Sequence, residues 1–177
     1  MTDTDVTAEA TRRETWFERN GWKVFTGISL VTVVFGLGDI FGGGSTFALG
    51  ETVMFNRLTG TTWDALRAAD PGAANMIDYQ VRAGGAWLLL LGIFSLAICV
   101  TALRRGERWA WYAMWVWPLG VALIVAVLWS ATRGPGEGIP VPIISGSITI
   151  VISLATLALS ARRYLSRPVT AGLNWDG

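Results

Sequence analysis

The feature that most constrains this chain is residues 82–118, RAGGAWLLLLGIFSLAICVTALRRGERWAWYAMWVWP, where two uncharged runs flank a short basic turn. Residues 83–103 carry no charged side chain, and neither do residues 109–132. Each run reaches the length of about 20 apolar residues that crosses about 30 Å of hydrocarbon, so the stretch predicts a transmembrane hairpin. Between the runs stand Arg104, Arg105, Glu107 and Arg108. Basic residues close to membrane ends set orientation, which places this turn on the cytoplasmic side.

The rest of the chain extends the hairpin to four spans. With 177 residues, 52% hydrophobic and 15% charged, it is too apolar for an ordinary soluble domain and large enough for one membrane bundle. The expected spans are residues 22–41, 82–103, 109–131 and 139–161, forming one membrane domain over 22–161. Residues 1–21 form a cytoplasmic N-terminal segment, 42–81 an outer segment and 162–177 a cytoplasmic tail. The predicted fold is an all-α, up-down-up-down four-helix membrane bundle with a structured outer loop, set in a prokaryotic plasma membrane.

Charge supports that threading. Ten cations (Arg12, Arg13, Arg19, Lys23, Arg104, Arg105, Arg108, Arg162, Arg163 and Arg167) fall at one set of span ends, against four (Arg57, Arg67, Arg82 and Arg133) at the other. Both termini are therefore expected to be cytoplasmic. No basic cluster has the length or aromatic interleaving of a nucleic-acid groove, so no nucleic-acid partner is expected. Histidine is absent and Cys99 is the single cysteine. Histidine-ligated haem, His/Cys zinc sites and dithiol exchange therefore lack their residues, and no cofactor or metal is expected. Cys99 reads as a small buried apolar side chain.

Local signals add detail. Thr4 or Asp5 could cap a short surface helix carrying a Glu9 and Arg13 pair, with Asn20-Gly21 as its stop. Gly42-Gly43-Gly44 breaks the first span, with Asp39 at its outer end. Thr61-Thr62-Trp63-Asp64 predicts a cap and a short lid helix ending before Pro71. Asp70-Pro71 opens a long second helix whose first turns project beyond the membrane, with Asp78 and Arg82 paired at i,i+4. Pro118 should bend the third span.

Three constellations carry candidate chemistry. On the fourth span Ser145, Thr149, Ser153, Thr156 and Ser160 recur at helical spacing. They are matched by Gly85, Gly92, Ser95, Cys99 and Ala102 on the second span and by Thr26, Ser29 and Gly36 on the first. Such stripes serve close helix packing, or line a cavity for a lipid-like ligand. Asp39, Asp78, Tyr79 and Arg82 gather at the outer surface and form the candidate ligand site; a working mouth would have Arg82 meet both Asp78 and Asp39. Arg104, Arg105, Arg108 and Trp109 combine a positive-inside turn with an aromatic belt, and form a candidate site for an anionic lipid headgroup.

Taken together, the four spans, the outer segment of residues 42–81, the Arg82-Ala83-Gly84-Gly85 opening and the RRGERWAWYAMW turn resemble small uncharacterised prokaryotic four-helix membrane proteins, loosely DoxX-like. The resemblance implies a fold and an occasional link to quinone-dependent sulfur metabolism; it carries over no catalytic residue. The expected function is a non-enzymatic accessory or lipid-binding bundle whose partners are membrane lipids and a membrane protein or a second copy. The competing expectation is a small membrane enzyme or quinone-linked subunit working on an apolar substrate at the outer face.

Overall fold

The computed structural model describes residues 15–132 and 138–166, so the expectations for Thr4, Asp5, Glu9, Arg13 and Arg133 fall outside the described residues. Four helical stretches, Trp16–Gly50, Pro71–Leu103, Arg108–Ala131 and Val141–Leu165, are long and apolar enough to cross a membrane. The chain is an all-α four-helix membrane protein, and among the described residues no strand occurs. Large side chains such as Val34, Phe94, Leu123 and Val151 stand exposed along these helices, as surfaces facing lipid require.

Helix α1 (Trp16–Gly50) starts at a capping box: Thr15 Oγ1 accepts from the Glu18 amide at 3.3 Å, and Glu18 Oε2 accepts from the Thr15 amide at 2.6 Å. The expected stop at Asn20-Gly21 does not occur. Asn20 donates to the Trp16 carbonyl within the helix, and a Cβ at Gly21 would lie 3.3 Å from Ser160 Cβ. Gly21 therefore lets another helix approach and does not end its own. The true break is at Gly43, whose φ of 59° and ψ of −152° only glycine adopts readily.

Helix α2 (Thr52–Thr59) was not expected; α3 (Trp63–Ala69) was, and its Thr62 cap accepts from the Ala65 amide at 3.4 Å. Helix α4 (Pro71–Ile98) opens on an Asp70 cap, Oδ1 accepting from the Ala73 amide at 3.0 Å, and runs into a π-helical turn, Cys99–Leu103. Gly106, at φ 80°, then reverses the chain. Pro118 acts one turn early: the Met114 carbonyl, denied a proline donor, takes the Trp117 amide at 3.2 Å. The third span is thus split into α5 (Arg108–Ala113) and α6 (Val116–Ala131). Helix α7 (Val141–Leu165) follows Pro140 and outlasts the expected boundary at Ala161, because Tyr164 is buried and donates its hydroxyl to the Leu103 carbonyl at 3.1 Å.

Helices α1 and α4 lie backbone against backbone. A Cβ at Gly36 would fall 2.6 Å from the Leu89 nitrogen, one at Gly85 2.8 Å from the Gly36 carbonyl oxygen, and one at Gly92 3.0 Å from the Val33 nitrogen. The small-residue stripe of the second span is buried throughout, from Gly85, Gly92 and Ser95 on α4 to Cys99 and Ala102 in the π-helical turn. Close approach of this kind replaces the hydrophobic drive that helices lack in lipid. Helix α6 packs on α7, where Val125 fills the space beside Gly146, and α7 meets α1 through Ser160, Thr156 and Gly21.

The main core sits at the end carrying the basic turn. Phe25, Cys99, Leu103, Trp111, Met114, Trp117, Leu157 and Tyr164 pack there, and the Trp111 indole donates to the Leu157 carbonyl at 3.2 Å. The hydroxyl stripe of α7 divides accordingly. Ser153, Thr156 and Ser160 are buried, Thr149 is half-buried and Ser145 is exposed. Helical spacing put all five on one face, but packing covers only the part near the basic end.

Candidate functional site

At the opposite end, the break in α1 creates the most organised polar constellation. A continuous helix would bond the Gly44 amide to the Ile40 carbonyl, four residues back. The turn at Gly43 opens that bond, leaving a backbone donor and an acceptor that need partners. Asp78 and Arg82 of α4 occupy the gap. Asp78 Oδ1 accepts from the Gly44 amide at 2.9 Å, and Arg82 Nη1 donates to the Ile40 carbonyl at 2.6 Å. The two side chains join each other through Arg82 Nε and Asp78 Oδ2 at 2.7 Å. The ion pair thus stands in for the missing helical bond. Gly43 must be glycine for a second reason: a Cβ there would strike the Asp78 carboxylate and lie 2.8 Å from an Arg82 guanidinium nitrogen.

The structure divides the four expected mouth residues. Asp78 and Arg82 are together and committed to α1, whereas Tyr79, on the same helix, is 64% exposed. Asp39 is half-buried against Gly85, and its carboxylate acts on Glu51. Arg82 reaches the Ile40 carbonyl beside Asp39, and the Asp78–Arg82 contact is the salt bridge found among the described residues.

Glu51 was missed by sequence reasoning. It lies in the joint between α1 and α2, a single acid between Gly50 and Thr52 with no spacing rule that ties it to Asp39. Burial, and secondarily the Asp39 carboxylate, hold its pKa above the usual glutamate range. Its Oε2 is buried and has no hydrogen-bond partner among the described residues. Among the described residues no group of three His, Cys, Asp or Glu side chains is placed to hold a metal ion.

Helices α2 and α3 roof this end. Trp63 packs over Gly44 and meets Phe55 edge-on, ring centroids 5.8 Å apart, so α3 does act as a lid on the bundle. Arg57 of α2 was counted in the sequence only as a topology charge. Its guanidinium donates to the Thr132 carbonyl at 3.3 Å and to the Gly138 carbonyl at 2.6 Å, binding the lid to both ends of the connector between α6 and α7.

The expected headgroup residues at the basic end go separate ways. Arg104 lies over the Trp22 ring of α1, 5.4 Å from its centroid. Arg108 turns to Tyr112 of its own helix, and the Trp109 indole donates to Glu107. Arg105 is exposed. Arg163, an unremarked member of the basic tail in the sequence, ties three segments together by donating to the carbonyls of Glu18 at 2.6 Å, Arg19 at 3.2 Å and Arg104 at 3.1 Å. Comparison with protein families, curated sequences and solved structures finds no match for this chain.

Proposed function

We propose that this protein is a non-enzymatic accessory or lipid-binding bundle of a prokaryotic plasma membrane. One observation carries the reading: the charged pair best placed to serve a ligand, Asp78 and Arg82, is spent on the opened backbone of α1. A group that supplies a helix's missing bond is held in place by that duty and is poorly free to act on a substrate. Its partners on this reading are membrane lipids, with a second copy or a membrane protein as the further candidate. Kinship with the DoxX-like proteins is part of the same proposal and rests on the pattern of spans and basic turn.

The proposed orientation has the basic turn and both termini in the cytoplasm and the α2–α3 lid outside, on the asymmetry of ten cations against four. A cysteine at Thr61 should then react with an impermeant thiol reagent on intact cells, and one at Gly106 should not. The reverse pattern would overturn the orientation.

The second reading, a small membrane enzyme or quinone-linked subunit, is favoured by Glu51, a half-buried carboxylate whose pKa is raised by burial and then by the Asp39 carboxylate. Native mass spectrometry of the protein extracted gently from its own membrane separates the two. The accessory reading expects phospholipid adducts that persist in Asp39→Asn and Glu51→Gln. An apolar substrate or quinone whose retention is lost in those variants would establish the second reading instead.

A further inference from the structure

Lys23 and Arg104 come from different elements, one near the start of α1 and one just after the π-helical turn, yet they share a single aromatic platform. Lys23 Nζ stands 5.8 Å from the centroid of the Trp22 ring, and the Arg104 guanidinium stands 5.4 Å from it. Both cations are exposed, and among the described residues neither has a carboxylate within salt-bridge distance. The two acids nearest in sequence are engaged elsewhere: Glu18 in the capping box with Thr15, and Glu107 with the Trp109 indole. Arg163 fixes the geometry, because its guanidinium ties the Arg104 carbonyl to those of Glu18 and Arg19 at the start of α1.

We propose that this platform is a binding site for one anionic phospholipid, its phosphodiester held between Lys23 and Arg104 at the edge of Trp22. The site rests on the lipid-binding reading above and gives it a ligand class. Two cations with no counter-ion among the described residues favour, at a membrane interface, a headgroup of net negative charge, since a zwitterionic headgroup would bring its own ammonium against them. An interfacial tryptophan sets the depth, its ring at headgroup level. The surfaces below suit acyl chains. On α1 the face headed by Lys23 continues through Gly27, which has open space around it, to exposed Leu30 and Val34. On the second span Arg104 is followed, through exposed Val100 of the π-helical turn, by exposed Ile93 of α4. Arg108 and Trp109 stand outside the site, being turned to Tyr112 and Glu107.

The test is thermal stability and native mass spectrometry of the full chain in neutral detergent. The additions are dioleoyl phosphatidylglycerol, dioleoyl phosphatidylcholine or inorganic phosphate. The phosphatidylglycerol should bind and stabilise, the phosphatidylcholine should do so far less, and phosphate should have no effect. Lys23→Gln with Arg104→Gln should weaken phosphatidylglycerol binding about tenfold or more, while Arg108→Gln leaves it nearly unchanged. The single variants Lys23→Gln and Arg104→Gln, each several-fold weaker, keep the test decisive should the double variant not fold. Equal losses from Arg108→Gln and Arg104→Gln would overturn the site and leave a diffuse basic belt, with lipid binding itself intact. Protection by inorganic phosphate alone would overturn the lipid as its ligand. If no phospholipid is retained by any form of the protein, both this site and the lipid-binding reading fall.

Discussion

The two ends of the molecule are held together by different chemistry. At the basic end large side chains interlock: Trp111, Met114, Leu157 and Tyr164 are buried together, and α1, the π-helical turn, α5, α6 and α7 all contribute. At the lid end a smaller aromatic contact, Trp63 on Phe55, is joined by polar stitches that touch backbone: Asp78 and Arg82 on the opened turn of α1, and Arg57 on the α6–α7 connector. A packed core resists change through volume, so its loss is spread over many contacts. A polar stitch resists through a few directed bonds, each of which either forms or does not. The basic end should thus set the global stability, and the lid end should be where local opening occurs.

The largest test of that contrast is Trp111→Ala. Trp111 is 6% exposed and its indole is bonded to α7, so truncation removes core volume and takes the indole donor away from the Leu157 carbonyl. Buried Trp to Ala changes cost about 3–5 kcal/mol, and the melting temperature in detergent should fall accordingly. A loss no greater than that of an exposed control such as Trp87→Ala would mean that the basic end is not the core.

Next comes Gly43→Ala at the lid end. The residue would be forced into a backbone region costing about 1–3 kcal/mol, and its Cβ would push the Asp78 and Arg82 side chains apart. The comparison is sharpened by combining it with Arg82→Ala. If the pair exists to satisfy the break, the two losses should overlap, and the double variant should be little worse than Gly43→Ala alone. Full additivity would return Asp78 and Arg82 to the role of candidate ligand residues.

A third pair of changes probes how far the packed region reaches along α7. Ser153 is fully buried and Ser145 is exposed, although they lie eight residues apart on one helical face. Ser153→Leu should overpack the interior at about 1–3 kcal/mol, and Ser145→Leu should leave the melting temperature unchanged. Equal sensitivity would extend the close packing to the lid end.

This boundary also marks what the amino-acid sequence could reveal. Four spans were legible because length and apolarity are properties of single segments, and the stripe of Gly85, Gly92, Ser95, Cys99 and Ala102 was legible because close packing repeats at helical spacing. The Asp78 and Arg82 pair was legible as an i,i+4 contact. Its purpose was not, since that depends on α1 presenting the Gly44 amide, 34 residues from Asp78 in sequence, and the Ile40 carbonyl, 42 residues from Arg82, at the matching height. The same limit hid Glu51 and Arg57, whose neighbours come from other elements. Asn20-Gly21 misled for a related reason: glycine marks a stop by its backbone freedom, whereas here it marks the approach of Ser160.

The smallest expected effect separates the lid end's two carboxylates from its stitched pair. Glu51 has a raised pKa, first through burial and then through Asp39, so folding favours its protonated form. Its contribution to stability is fully present below the ordinary glutamate pKa and is lost as pH rises through the raised folded value. Between those two values the native protein should soften with rising pH, and the change should be modest because Glu51 is only half-buried. Glu51→Gln removes the titrating group and keeps a side chain of the same size. Its melting temperature should vary less with pH across that window than the parent's, and should exceed the parent's above it. Asp39→Asn should produce part of the same flattening, because it removes the second cause of the shift. An unchanged pH profile in Glu51→Gln would mean that its carboxylate is solvated in the membrane-bound protein. The polar joints of the lid end would then be those of Asp78, Arg82 and Arg57, and the second functional reading would lose the acid on which it rests.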